Sequence, residues 1–203
     1  MNRLRMGTDS ANRDPSPVRP FRSGLSAWAR GTLLACALAT AAVSARAQSW
    51  PDPPPNLVQV SPSIYTSGQP GPKSLAGLKA QGIEAVVYLA PPTVSDAVRD
   101  EAHIVGSQGI VFVNIPIVFS DPTARDFETF SAVMKALGTR KILVHCQVNL
   151  RASAMTFLYR TVEGRENPDA AWQDVERIWI PRDPWKGFIA GVLARHGVKF
   201  ELP

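Results

Sequence analysis

Cysteine and histidine are scarce in this chain. Cys36 and Cys146 are its only thiols, and His103, His145 and His196 its only imidazoles. Neither His103 nor His196 stands at a metal-ligand spacing from another His or Cys, so no metal is expected. Extended apolar stretches are missing as well. The most apolar stretch, "GTLLACALATAAVS", covers residues 31–44, whereas a membrane helix needs roughly 20 residues. Net charge is absent from most of the chain. Seven Arg and two Asp in residues 1–47 account for the whole net charge of +5, and the remaining 15 basic and 15 acidic residues cancel. Nothing in that balance calls for a nucleic-acid partner.

The early apolar stretch follows Arg30 and ends in Ala45-Arg46-Ala47. A basic segment, an apolar segment and a small-x-small site together form the grammar of a secretory leader. Cleavage is expected after Ala47, with a periplasmic or secreted product and no stable membrane insertion once the leader is gone. "LLAC" around Cys36 has too little apolar sequence before it for a lipoprotein site, and Asp9 and Asp14 count against a transit peptide. The expected organisation is a leader over 1–47, a Pro-rich lead-in over 48–57 and one domain over 58–203. Without Cys36, Cys146 is the only thiol, and an internal disulfide is excluded. A lone cysteine is usually a small buried hydrophobe, and in an exported protein it is also a candidate reactive thiol.

The domain alternates between strand and helix signals. "NLVQVSPSIYTSGQPG" reads as a short strand pair. Ser74 is expected to cap a helix carrying Leu75 and Leu78 and ending at Gly82. "EAVVYLA" (84–90) is an apolar β-branched run before Pro91-Pro92, as in a buried strand. Ser95 is expected to start a helix with Val98, Ala102 and Val105 on one face, stopping near Gly109. "IVFVNIPI" (110–117) reads as a strand. Thr123 and Asp126 form a capping-box pattern before Phe127, Phe130, Val133, Met134 and Leu137. "KILVH" (141–145) is the strand leading to Cys146, followed by a helix from Arg151 to about Glu163 and two further helices. This order predicts an α/β fold, a central mostly parallel sheet flanked by helices on both faces.

In such sheets ligands bind at the carboxyl ends of strands. Cys146 is expected there, just before a helix N-terminus, a position that lowers a cysteine's pKa below its free value of about 8.5. The backbone N–H groups of residues 147–152 are expected to form an anion-binding concavity made by Gln147, Val148, Asn149, Leu150, Arg151 and Ala152. Arg151 adds a fork of donors suited to two phosphate oxygens. Ser153 could stabilise the thiolate or help it leave. His145 is expected to orient the loop rather than act as a base. Taken together, strand, His-Cys, tight loop, Arg and helix favour a catalytic Cys146 over a structural one.

"VHC", a short loop, Arg and Ser resemble the signature of the cysteine-dependent phosphatases, the protein tyrosine and dual-specificity class. "VSPSIYTSGQP", "LKAQGIEAVVYL" and "GIVFVNIPI" are similar to a bacterial branch of that superfamily, the phosphatase-like domain also found beside β-lactamase-type hydrolase domains. The resemblance spans roughly residues 58–160. It implies a cysteine-phosphatase fold, no cofactor, a phosphorylated substrate or small anion as partner, and phosphomonoester hydrolysis through a phosphocysteine. It specifies no oligomeric state. By its place in the loop after the preceding strand, Asp121 corresponds to the general acid; Asp126 is better explained as a capping partner. The family signature sets five residues between Cys and Arg, and here Cys146 and Arg151 enclose four, with Asn149 on the usual Gly. One residue turns a helical side chain by about 100°. Either the loop is tighter or Arg151 points away from the anion. Rhodanese-type sulfurtransferases also place four residues between Cys and Arg, which leaves two alternatives open: sulfur transfer through a Cys146 persulfide, or a phosphate-binding domain without catalysis.

Overall fold

A computed structural model describes residues 50–203; the expected leader and Cys36 lie outside the described residues. The chain enters through a Pro-rich segment and forms β1 (Val58–Gln59) and β2 (Ile64–Ser67), paired antiparallel. Then follow α1 (Pro72–Ala76), β3 (Ala85–Tyr88), α2 (Glu101–Gly106), β4 (Val111–Asn114), α3 (Ala124–Leu137) and β5 (Ile142–His145). Three helices complete the chain: α4 (Leu150–Val162), α5 (Pro168–Glu176) and α6 (Trp185–Arg195). The sheet order is β1-β2-β5-β3-β4, and β2, β5, β3 and β4 run parallel. This is the α/β architecture expected from the sequence.

The strand pattern explains the two layers. Successive side chains of a strand point to opposite faces. Ala85, Val87, Ile142 and Val144 therefore join one core with α3, α4, α5 and α6, while Val86 and Leu143 join a second with Leu75, Leu78 and Val105. Strands covered on both faces need no polar alternation, and all four residues of β3 and of β5 are buried.

Element boundaries differ from expectation in three places. Ser74 caps nothing: α1 begins at Pro72, whose missing N–H costs nothing at that position, and Gly71 is the cap. Leu75 and Leu78 are buried as expected, but the helix stops at Gly77 and a 3-10 turn over Lys79–Gln81 leads to Gly82 at φ 71°. Ser95 starts no helix. Tight turns from Val94 to Pro91 and from Ala97 to Val94 occupy that stretch, and α2 begins only at Glu101, where burial of Glu101 and Val105 fixes it; Ala102 is exposed. β4 ends at Asn114 because Pro116 has no N–H for the ladder, although Ile115 and Ile117 stay buried. The Thr123–Asp126 capping box is present, with Thr123 N–H donating to Asp126 Oδ2 at 2.8 Å and Asp126 N–H to Thr123 Oγ1 at 3.2 Å. Among the described residues no helix is long and apolar enough to cross a membrane.

Candidate active site

β5 lies between β2 and β3, so its carboxyl end opens at the middle of the sheet. His145 carbonyl accepts from Leu89 N–H at 2.8 Å, and Cys146 N–H donates to Ser67 carbonyl at 3.2 Å. The chain then turns away. Gln147 carbonyl accepts from Gln69 N–H at 2.9 Å, and Gly68 faces Val148 in an antiparallel bridge. This approach needs glycine: a Cβ on Gly68 would stand 2.8 Å from the Gln147 carbonyl oxygen.

Asn149 makes the corner. It caps α4 in the left-handed conformation at φ 74°, which Asn tolerates better than other non-Gly residues. Its side-chain amide donates to Asn56 carbonyl at 2.7 Å and Thr66 Oγ1 at 3.1 Å. Asn56 answers by donating to Val148 carbonyl at 3.0 Å. The Pro-rich lead-in is thus a strap across the loop rather than a simple linker.

A cavity of about 250 Å³ opens over the loop, lined by Asp96, Phe119, Gln147, Val148, Leu150 and Arg151. Arg151 faces it despite the short spacing. Its Nε donates to Ile117 carbonyl at 3.0 Å, and the guanidinium carbon lies 5.1 Å from the Phe119 ring centroid. One Arg151 terminal nitrogen reaches Gln147 Oε1 at 3.5 Å, the outer limit of a hydrogen bond. Gln147 Nε2 donates to Asp96 Oδ1 at 2.8 Å.

The sequence candidates therefore separate into two groups. Gln147, Val148, Leu150 and Arg151 meet at the cavity. His145, Cys146, Asn149, Ala152 and Ser153 are buried behind it, Cys146 with no exposed surface. Ser153 Oγ donates to Leu150 carbonyl at 3.1 Å and accepts from Trp179 Nε1 at 3.2 Å, so its hydroxyl is already engaged. Asp121 is exposed, its N–H donates to Val118 carbonyl at 3.1 Å, and its side chain is not on the cavity lining.

Several site residues escaped sequence reasoning. Glu101, buried at the start of α2, places Oε1 2.8 Å from His145 Nε2 and accepts from Gln69 Nε2 through Oε2 at 2.9 Å. The His145–Glu101 contact has ion-pair distance without hydrogen-bond alignment. Tyr88 stacks on His145, with ring centroids 4.7 Å apart. Burial first, then the charges of Glu101 and Asp96, pushes the Tyr88 phenol up to about 12. Among the described residues no cluster of His, Cys, Asp and Glu could hold a metal ion.

A family described as DSP-PTPase phosphatase fused to NAD+ kinase matches residues 55–178. The chain belongs to the dual-specificity and tyrosine phosphatase family. It is a cysteine-dependent phosphatase by that membership, and solved structures agree. A DUF442 protein from Shewanella putrefaciens CN-32 is 31% identical over 70% of this chain and 93% of its own, with a TM-score of 0.65. The core catalytic domain of the PP-IP phosphatase SIW14 from S. cerevisiae is 15% identical over 71% of this chain and 94% of its own, with a TM-score of 0.57. Kinase-associated phosphatase, with its catalytic-site cysteine replaced by serine, is 14% identical over 68% and 89%, with a TM-score of 0.58. The last two share the fold. No curated protein matches the chain.

Proposed function

We propose that this phosphatase is exported and hydrolyses phosphomonoesters through a phosphocysteine on Cys146. The observation that carries the reading is Arg151 on the cavity formed by the loop that follows Cys146, at the N-terminus of α4. The first-turn amides of α4 have no intrahelical partner and carry the positive end of the helix dipole. With its Nε held by Ile117, Arg151 leaves its terminal nitrogens for two equatorial oxygens of a phosphoryl group. Cys146 then attacks phosphorus in line, the P–O bond to the leaving group breaks, and water later displaces the sulfur. The leaving alkoxide needs a proton, for which Asp121 and Asp96 are the candidate donors.

The lining also favours a substrate class. It carries one cation, Arg151, opposed by one carboxylate, Asp96, and three apolar walls, Phe119, Val148 and Leu150. That balance suits a single phosphoryl group on an apolar or aryl alcohol and disfavours a polyphosphate. Export to the periplasm or beyond rests on the leader grammar of residues 1–47; intact-mass analysis of exported protein should find the chain starting at Gln48.

Turnover of p-nitrophenyl phosphate under reducing conditions, wild type beside Cys146→Ser, tests the reading. Activity that survives in Cys146→Ser refutes it. The four-residue spacing between Cys146 and Arg151 is the one feature favouring sulfur transfer instead. In that case thiosulfate would add one sulfur, roughly 32 Da, to Cys146 by thiolate chemistry, and phosphate esters would not turn over.

A further inference from the structure

We propose that Asp96, not Asp121, donates the proton to the leaving group; the assignment rests on the phosphatase reading. Four carboxylates are the candidates around this end of the sheet, and three are otherwise placed. Glu101 is buried behind the loop, committed to His145 and Gln69. Asp126 is consumed by the capping box of α3. Asp121, exposed like Asp96, sits in the turn before α3 and does not line the cavity. Asp96 does line it, and its position is set from two sides.

The first side is the nucleophile's own loop. Gln147, next to Cys146, donates from Nε2 to Asp96 Oδ1 at 2.8 Å, while its carbonyl is fixed by Gln69 N–H at 2.9 Å. The second side is the Asp96 segment. It leaves β3 through Pro91 and Pro92, is held by the turns at Val94 and Ala97, and joins α2, where buried Glu101 anchors it. Asp96 Oδ2 has no partner among the described residues. A carboxyl on the cavity lining, tied through one oxygen to the loop after Cys146 and with the other oxygen unengaged, has the placement that a general acid needs.

In-line attack by Cys146 puts the leaving oxygen on the side of phosphorus away from sulfur, toward the cavity. As the P–O bond breaks, that oxygen takes the Asp96 proton and departs as a neutral alcohol. In the second step the Asp96 carboxylate accepts a proton from water, whose oxygen bonds to phosphorus while the P–S bond breaks and the thiolate is restored. Arg151 on the wall, Cys146 beneath the loop, and His145, Tyr88 and Glu101 behind it are titratable or charged groups around this path. The Tyr88 phenol, pushed up to about 12, stays protonated over the working range.

The test compares kcat/KM against pH for p-nitrophenyl phosphate and phenyl phosphate in wild type, Asp96→Asn, Asp121→Asn and Cys146→Ser. The slope with leaving-group pKa reports proton donation, which a merely structural role would not move. Asp96→Asn is expected to lose about 10²-fold or more on phenyl phosphate, to lose much less on p-nitrophenyl phosphate, and to abolish the fall of activity on the basic side. Asp96→Glu should restore part of the loss. Equal losses on both esters, wild-type behaviour of Asp96→Asn, or this signature in Asp121→Asn overturns the assignment. Wild-type turnover that does not depend on Cys146 overturns the phosphatase reading and the assignment with it. Cys146-dependent turnover with an unaffected Asp96→Asn overturns the assignment alone.

Discussion

Replacing Asn149 separates two things that the corner of the loop requires: a left-handed backbone and a pair of hydrogen bonds. Asn149→Gly keeps the φ of 74° without strain but removes the donations to Asn56 carbonyl and Thr66 Oγ1. Each such bond is worth about 1 kcal/mol net. Asn149 Oδ1 is buried without a partner, and deleting it recovers some desolvation cost. The glycine variant should therefore lose roughly 1–2 kcal/mol. Asn149→Ala loses the same bonds and adds a Cβ in the left-handed region, a further ~1–2 kcal/mol. For a domain of this size 1 kcal/mol moves Tm by about 2–4 °C. Thermal unfolding at constant pH should rank wild type above Asn149→Gly above Asn149→Ala, with the two variants separated by about 2–8 °C. Identical midpoints for Gly and Ala would refute the strain argument. A glycine variant as stable as wild type would refute the strap argument. Both variants should also bind vanadate more weakly than wild type, because the amides at residues 150–152 follow directly from this corner.

The other predictions concern neighbouring contacts and the outer helices. Gly68→Ala should cost about 1–3 kcal/mol by overpacking and lower kcat/KM, since its Cβ would meet the Gln147 carbonyl at 2.8 Å; a fully active, fully stable variant argues against the close approach. Arg160 is nearly buried and joins Glu166 and Asp174 at 2.6 Å each. Burial alone would lower its pKa, but hydrogen bonds to those two carboxylates raise it overall. Arg160→Met removes both pairs, but Asp174 keeps Arg177 at 3.1 Å and Glu166 is partly solvated, so the cost in urea unfolding should be about 1–3 kcal/mol, below the range for a fully buried pair. Glu163 is held below its usual value by Lys135, then by Ser131. A depressed carboxylate stabilises the fold above its unfolded pKa and loses that contribution as pH falls through the folded value. Stability should therefore drop below about pH 4.5 by less in Glu163→Gln than in wild type, and equal acid profiles would refute the pairing.

The sheet was legible because its central strands are written twice over. "AVVY" and "ILVH" are apolar at every position, the signature of burial on both faces, and Gly or Pro residues punctuate the segments around them. The α3 boundary was legible because its cap is local, three residues from Thr123 to Asp126. Ser74 and Ser95 misled for the opposite reason: serine is a permissive cap, and tertiary burial of Leu75 and of Glu101 chose different starting points. The loop after β5 could be located from His145, Cys146 and Arg151, but its supports could not. Asn149 meets Asn56 across 93 positions, Gln147 meets Asp96 across 51, and Gln69 meets Glu101 across 32. None of these polar residues carries a period or a local motif, so only the fold brings them together.

The short loop resolves into geometry. With four residues instead of five between Cys146 and Arg151, a helix begun at the usual place would rotate the Arg away from the anion. Here Asn149 turns left-handed, α4 starts at Leu150, and Arg151 lands in its first turn with its Nε on Ile117 carbonyl and its face against Phe119. The missing residue is therefore compensated by two contacts from the loop after β4, which hold the guanidinium on the cavity from outside the signature. On this argument Phe119 is as much a part of the proposed anion site as Arg151: Phe119→Ala should raise KM for p-nitrophenyl phosphate several-fold, with a moderate loss of stability because the ring also packs on Trp179 and Trp185. An unchanged KM would mean that Ile117 alone fixes the guanidinium.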